Sequence, residues 1–519
     1  MSDTTAYGNG PGDSVTDTTE NAAITHHSAT VAGRRIRYTA TVGHLVTVDP
    51  SSSKPAATMF YLAFTEDAAH PPDRPVTFFY NGGPGSSSVY VLLGSFAPMR
   101  IKTKMPDFTP PAPYTVEPNP DSLIDRSDLV FINPVGTGYS AAIAPNVNKD
   151  FWGVDQDARC LRQFIKRYLT RFDRWNSPKF LLGESYGTAR SCVLAYLLHE
   201  DGVDLNGVTL VSSILDYSQA GNPVGLLPTL CADAWYHKKI TVTPPPADLP
   251  SFMAKVVPFA QHDYATALVT FPDADPTTVQ TLSDYTGIPP VVLTSWEGLN
   301  VADTDNRGTL HFLTTLLRAE GKALGAYDGR VAGVDTGIAA MVDPLSGGND
   351  PTMTAVNGAY TAAWNSYLAD ELKFTSTSSF TDLNDQAFVN WDFGHIDPTG
   401  AQKGKDVNGN IVLYTAGDLA AVMALNPDLK VLSANGYFDS VTPFSQTATD
   451  LANMPLTDAQ VRNNLTVRDY PSGHMIYLDG NSRTALKADL AALYDSTVAD
   501  RPAVERIRAL QRAVRRSEA

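Results

Sequence analysis

The pentapeptide Gly183-Glu184-Ser185-Tyr186-Gly187 lies between the apolar run KFLL and a helix-patterned stretch, ARSCVLAYLLHE. It fits G-x-S-x-G at a strand-to-helix junction, the setting in which that pattern forms a nucleophile elbow. The turn is strained and tightly packed, so the flanking positions are glycine, and it lifts the Ser185 hydroxyl above the end of a sheet. It also aims the first amides of the following helix at whatever binds there. A chain built around such a turn needs a sheet with helices packed on it.

Several other segments repeat the design. VTFFYNGGPGSSS, DLVFINPVGTGYS and LKVLSANGYFDSVTPF are each a near-continuous apolar run followed by a loop of Gly, Asn, Ser or Asp. Strands buried on both faces belong to a mostly parallel sheet, with active residues at strand carboxyl ends. RRIRYTATVGHLVTV and ATMFYLAFTED instead alternate apolar and polar residues, as an antiparallel edge meander does. Helical patterns such as QDARCLRQFIKRYLTRF lie between the parallel strands. From Asp216 to Asn410 the patterns are mainly helical (FMAKVVPFAQHDYATALVTF, GTLHFLTTLLRAEGKA, YTAAWNSYLADEL), which predicts a cap inserted into the sheet domain. The expected division is a disordered leader over 1–31, rich in Ser, Thr, Gly, Asn and Asp; a core over 32–215; a helical cap over 216–410; and the rest of the core with a C-terminal helix over 411–519.

A length of 519 residues with 43% hydrophobic content supplies a large core, and a net charge of -16 leaves no cationic surplus to neutralise phosphates, which argues against nucleic acid as a partner. No run of about 18 apolar residues predicts a membrane span. The leader has neither the basic start nor the apolar stretch of a secretory signal, so a cytoplasmic location is expected. Three scattered cysteines, Cys160, Cys192 and Cys231, do not make a disulfide framework. The histidines form no close ligand set apart from the weak pair His26-His27, so neither metal nor cofactor is expected.

A nucleophilic serine needs a general base oriented by an acid, following in the order Ser, Asp or Glu, His in this kind of fold. Asp439 lies just past the strand pattern LKVLSANGYF, and His474, in YPSGHMIY, is the only histidine after His395. Asn81-Gly82-Gly83-Pro84-Gly85 follows VTFFY as a glycine-rich loop able to bring an amide to an oxyanion.

The blocks NGGPGSSS, INPVGTGYS, GESYGTAR, SANGYFDSVTPF and SGHM occur in the order found in serine carboxypeptidases. The chain resembles that family, and LLPTLCADAWYHKK is similar to its bacterial members. The resemblance implies an α/β-hydrolase fold with an inserted cap and a triad of Ser185, Asp439 and His474. It implies oxyanion donors in the amides of Gly83 and Tyr186, with Asn81 and Glu184 binding the C-terminal carboxylate of a peptide substrate. Release of C-terminal amino acids is the implied reaction. Acyl transfer or ester hydrolysis through the same acyl-enzyme is the alternative, with a lyase and a non-catalytic binding protein as further readings.

Departures accompany the resemblance. Ser95 stands where members usually carry a second glutamate, which would keep Glu184 protonated. The expectation is therefore that Glu184 ionises more readily, with Ser95 as a neutral hydrogen-bond partner. Ser86 replaces a frequent cysteine, Pro134-Val135 precede Gly136, and Tyr437 replaces an acid in the Asp439 loop.

Overall fold

The computed structural model describes residues 1–67, 74–305, 308–335, 350–400, 412–456 and 459–497. Its centre is a ten-stranded sheet, whose strands are numbered here in chain order: β1 (Ala22–Val31), β2 (Arg34–Val48), β3 (Pro55–Glu66), β4 (Val76–Tyr80), β5 (Asp128–Ile132), β6 (Ala141–Ala142), β7 (Lys179–Glu184), β8 (Gly207–Val211), β9 (Lys430–Gly436) and β10 (Leu465–Tyr470). The spatial order is β10-β9-β8-β7-β4-β5-β3-β2-β1, with β6 beside β3. The six strands from β10 to β5 are parallel. β3, β2 and β1 extend them as an antiparallel meander.

The apolar runs of the parallel strands are buried on both faces, as their composition requires. Phe78 and Tyr80 of β4 pack with Leu161, Phe164 and Leu194 of the helices α1 (Val154–Arg171) and α2 (Tyr186–Glu200). Phe79 between them faces the opposite core, with Phe131, Phe180 and Leu490 of the C-terminal helix Gly480–Thr497. This period of two places helices on both sides of the sheet. The fold is that of the α/β-hydrolases.

The expected disordered leader is a correction. Residues 22–31 form β1, paired with β2 along its whole length. Upstream, Ser2–Asp3 pairs with Thr375–Ser376, and Val15 donates to the carbonyl of Ala142 at 2.8 Å. The Tyr7 hydroxyl reaches Asp3 at 2.8 Å and His44 at 3.0 Å. Composition misled because the backbone of this segment pairs with distant residues while most of its polar side chains stay exposed. His26 and His27 are consecutive on β1 and so point to opposite faces, which rules them out as a joint ligand pair.

The cap is also not one helical body. Residues from Leu226 to Leu324 form a core of their own around Phe252, Tyr264, Leu282 and Phe312. The helix Pro351–Asp370 instead inserts Tyr360, Trp364 and Tyr367 into the main core. Within GTLHFLTTLLRAEGKA only His311–Thr315 is α-helical; Gly321 adopts a φ of +67° and the chain turns into a short strand, Lys322–Leu324, paired with Ala332–Val334. FMAKVVPFAQHDYATALVTF is helical but interrupted by a wide turn over Ala260–Tyr264, just after Pro258, which has no N–H to donate. The terminal helix ends its described part at Thr497, and the arginine-rich end lies outside the described residues.

All three cysteines are buried and unpaired. Among the described residues, no helix is long and apolar enough to cross a membrane, and no cluster of three or more His, Cys, Asp or Glu could hold a metal.

Candidate active site

Four strands end at one place. β7 delivers Ser185, β4 delivers Asn81 to Gly85, β9 leads to Asp439 and β10 to His474, all at carboxyl ends of parallel strands. Ser185 has φ +60° and ψ −130°, a strained conformation for a residue with a Cβ. It is held by its own N–H donating to Val211 O at 2.9 Å, and by Thr188, whose N–H and hydroxyl both donate to Ser185 O. A Cβ on Gly183 would collide with the carbonyl of Gly187, and one on Gly82 would come within 2.5 Å of the Tyr186 nitrogen. The glycines are thus required by backbone approach.

Asp439 is fully buried. Its Oδ1 accepts from the amides of Val441 and Thr442 at 2.9 and 3.0 Å, and its Oδ2 accepts from the Thr442 hydroxyl. The same Oδ2 lies 2.7 Å from His474 Nδ1. Burial opposes a proton on His474, but the Asp439 carboxylate, with smaller help from Glu184 and Asp350, outweighs it and raises the imidazole above its ordinary value. With Nδ1 directed at Asp439, Nε2 is left for a substrate or nucleophile. Ser185, partly exposed, and His474 line one cavity of about 180 Å³, without a hydrogen bond between them in this conformation. Such bonds often tighten only when substrate is bound.

The amides of Gly83 and Tyr186 border the same cavity, and among the described residues neither has a hydrogen-bond acceptor. Tyr186 opens α2, so its amide is one of the unpaired donors at a helix start. Asn81 Nδ2 donates to Glu184 Oε1 at 2.8 Å, while Asn81 Oδ1 accepts from Val91 N at 3.0 Å.

Ser95 is not the partner of Glu184, contrary to the sequence-based expectation. Its hydroxyl donates to the carbonyl of Val91 in its own helical turn. Glu184 instead sits near Tyr90, Tyr360 and Tyr477, whose hydroxyls are raised above their ordinary value by burial first, with the Glu184 charge adding to the shift. Its Oε2 and the Tyr477 hydroxyl are both buried without a well-formed hydrogen bond. Desolvation pushes the carboxyl up to about 7, against the opposing pull of His474 and Asn81. Burial therefore does what a second carboxyl was expected to do.

Sequence reasoning overlooked three contributors. Arg190 is buried beneath the elbow, bound to Asp157 and to the carbonyl of Asn81, each at 2.5 Å, and it lies against the rings of Tyr80 and Tyr186. The arginine five positions after the serine was the available signal. Thr442 braces Asp439, and the tyrosines around Glu184 come from remote segments that no local pattern links.

A strained serine at a sheet edge, a buried Asp–His pair and convergent amides at strand ends are the arrangement that the α/β-hydrolase fold presents. Residues 37–227 match the model of the serine carboxypeptidase family, Peptidase_S10. That stretch includes Asn81, Gly83, Glu184, Ser185 and Tyr186, whereas Asp439 and His474 lie beyond it. Serine carboxypeptidase-like 5 of Arabidopsis thaliana is 28% identical over 130 residues, covering 25% of this chain and 28% of that protein. The lysosomal protective protein of Mus musculus is 28% identical over 181 residues, covering 34% of this chain and 35% of that protein. The matched stretches thus span roughly a third of these relatives' own length. A crystal structure of a prohormone-processing carboxypeptidase from Saccharomyces cerevisiae superposes with a TM-score of 0.51 at 16% identity, covering 87% of this chain and 91% of that one, a likeness of fold.

Proposed function

We propose that this protein is a serine-type carboxypeptidase that releases C-terminal amino acids from peptides through an acyl-enzyme on Ser185. The observation that carries the reading is the buried Asn81–Glu184 pair in the same cavity as Ser185 and His474. Amide and carboxylic acid side by side offer donors to a free carboxylate, provided Glu184 holds a proton, and burial favours that proton up to about pH 7.

In the proposed reaction His474 Nε2 takes the proton of the Ser185 hydroxyl as Oγ bonds to the last peptide carbonyl, with Asp439 stabilising the imidazolium. The amides of Gly83 and Tyr186 donate to the resulting oxyanion. His474 passes the proton to the departing amine as the C–N bond breaks, and water then hydrolyses the ester by the same base. Sequential release of amino acids from the free-acid form of a peptide at pH 6, with its C-terminal amide cleaved far more slowly, is the expected result. Equal cleavage of the two forms would reduce the reading to a general acyl hydrolase.

A second cavity of about 350 Å³ joins the first at Ile214, Val441 and Thr442, away from Asn81 and Glu184. Its walls include Leu226, Leu310 and Leu313, and its polar end carries Asp216, Gln446 and Asp450, the last pushed up to about 7 by burial. It suits the side chain on the acyl side of the cut bond. Among blocked dipeptides differing only there and compared at pH 8, where Asp450 is ionised, Leu, Met and Lys should exceed Asp in kcat/KM by about tenfold or more, because a substrate carboxylate would meet like charge. An acidic preference would rule this pocket out for that role.

A further inference from the structure

The backbones of the loops that carry Asp439 and His474 bond directly before the acid and the base themselves, where Tyr437 N donates to Tyr470 O at 3.0 Å and Phe438 N to Ser472 O at 3.1 Å. At Asp439 and His474 a short piece of the insertion, Ala326-Tyr327-Asp328-Gly329-Arg330, bonds to both loops. Toward the acid loop, Ser440 N donates to Ala326 O and Gly329 N donates to Phe438 O, each at 2.9 Å. These bonds grip both neighbours of Asp439. Toward the base loop, His474 N donates to Tyr327 O at 2.6 Å, and the Tyr327 ring stands edge-on to the imidazole at 5.2 Å. Gly473 packs so tightly that a Cβ there would lie 2.6 Å from Asp328 Cγ.

Arg330 locks this arrangement. Its guanidinium binds both carboxylate oxygens of Asp328 at 2.9 and 2.8 Å. It also donates to Pro471 O at 2.8 Å and to Asp479 at 2.9 Å, on either side of His474 in the chain. Its face lies 5.2 Å from the centre of the Phe438 ring, directly before Asp439. One planar group therefore touches the insertion, the acid loop and the base loop, with geometry that a lysine cannot reproduce. The other end of the segment is fixed by Asp350, which accepts from Ala326 N at 2.6 Å and from Thr352 N at 2.8 Å.

We propose that the Ala326–Arg330 segment is a clasp that sets the Asp439–His474 geometry, with Arg330 as its positioning residue. The inference rests on the reading that Ser185 is acylated with His474 as base. It does not depend on recognition of a C-terminal carboxylate. A hydrogen bond 2.7 Å long inside a buried site tolerates little displacement, so loosening the clasp lowers the rate of the chemical step rather than substrate affinity.

The test compares Arg330→Met and Arg330→Lys with Arg174→Lys. Arg174 is also buried and is bound to Asp128 at 2.6 Å, at the opposite ends of the strands from Ser185. The reaction is hydrolysis of a small activated ester, alongside labelling by a fluorophosphonate. Arg330→Met should lower kcat and the labelling rate about tenfold with KM within about twofold, and Arg330→Lys should recover only part. Arg174→Lys should lower thermal stability without changing kcat. The low-field resonance of the proton between His474 and Asp439 should broaden or shift in the Arg330 variants alone. Should Arg330→Met not fold, the Lys variant carries the comparison. A folded Arg330 variant with unchanged kcat and an unchanged resonance overturns the proposal, as does equal loss of kcat in Arg174→Lys. Failure of the carboxypeptidase reading would show differently, as ester hydrolysis without release of C-terminal amino acids.

Discussion

Ser185→Ala should lower kcat for peptide release by about 10⁵-fold or more and abolish labelling by a fluorophosphonate, with the fold retained. In the proposed mechanism Ser185 is the atom that becomes acylated, and losing such a nucleophile removes most catalysis in one step. His474→Ala should cost about as much, and the double variant scarcely more, because the pair acts as a unit. Asp439→Asn should lower kcat by about 10⁴-fold. The amide would keep the hydrogen bonds from the Val441 and Thr442 amides but could not stabilise an imidazolium. Additive losses across these variants would mean that the three residues do not work together. Residual activity above background in Ser185→Ala would point to a different nucleophile.

The second large effect should appear as pH dependence. Glu184 is pushed up to about 7, so below that pH it is protonated and can donate to a substrate carboxylate, and above it the two groups repel. KM for a free-acid peptide should be flat below pH 6 and rise about tenfold per pH unit above 7, giving about 100-fold between pH 7 and 9. The same peptide as its amide should show no such rise. Glu184→Gln, neutral at every pH, should flatten the free-acid profile. His474 works in the opposite sense: it must be neutral to act as base, and its raised value places the acid limb of kcat/KM above its ordinary 6.5. The free-acid activity should therefore be bell-shaped and the amide activity should not. A KM for the free acid that stays flat to pH 9 would exclude Glu184 from carboxylate binding.

The linear order of the chain foretold which residues would come together. Ser185, Asp439, His474 and the glycine loop after β4 were legible because each follows a strand, and parallel strands bring their carboxyl ends together whatever the sequence distance. The strain at Ser185 was legible for the same reason, since it follows from the glycines on either side. Ser95 was the instructive failure. A missing carboxyl was read as a Glu184 freer to ionise, but pKa depends on solvent access as much as on charged neighbours, and burial is not written locally.

The N-terminal 31 residues show the same limit on the structural side. Their polar composition suggested a free leader, yet β1 completes the sheet because its partner, β2, offered an open edge. The insertion looked uniform because helical periodicity does not say which core a helix joins; Pro351–Asp370 was claimed by the main core and its neighbours by another.

By itself, the sequence determined the sheet type, the elbow and which residues meet at the strand ends, because strand period, glycine positions and chain order are local properties. Only the tertiary structure decided the protonation range of Glu184 and the fastening of Asp439 to His474 through Asp328 and Arg330. Both depend on residues more than a hundred positions apart meeting in a space that excludes water. There desolvation and hydrogen-bond geometry, rather than residue type, set the outcome.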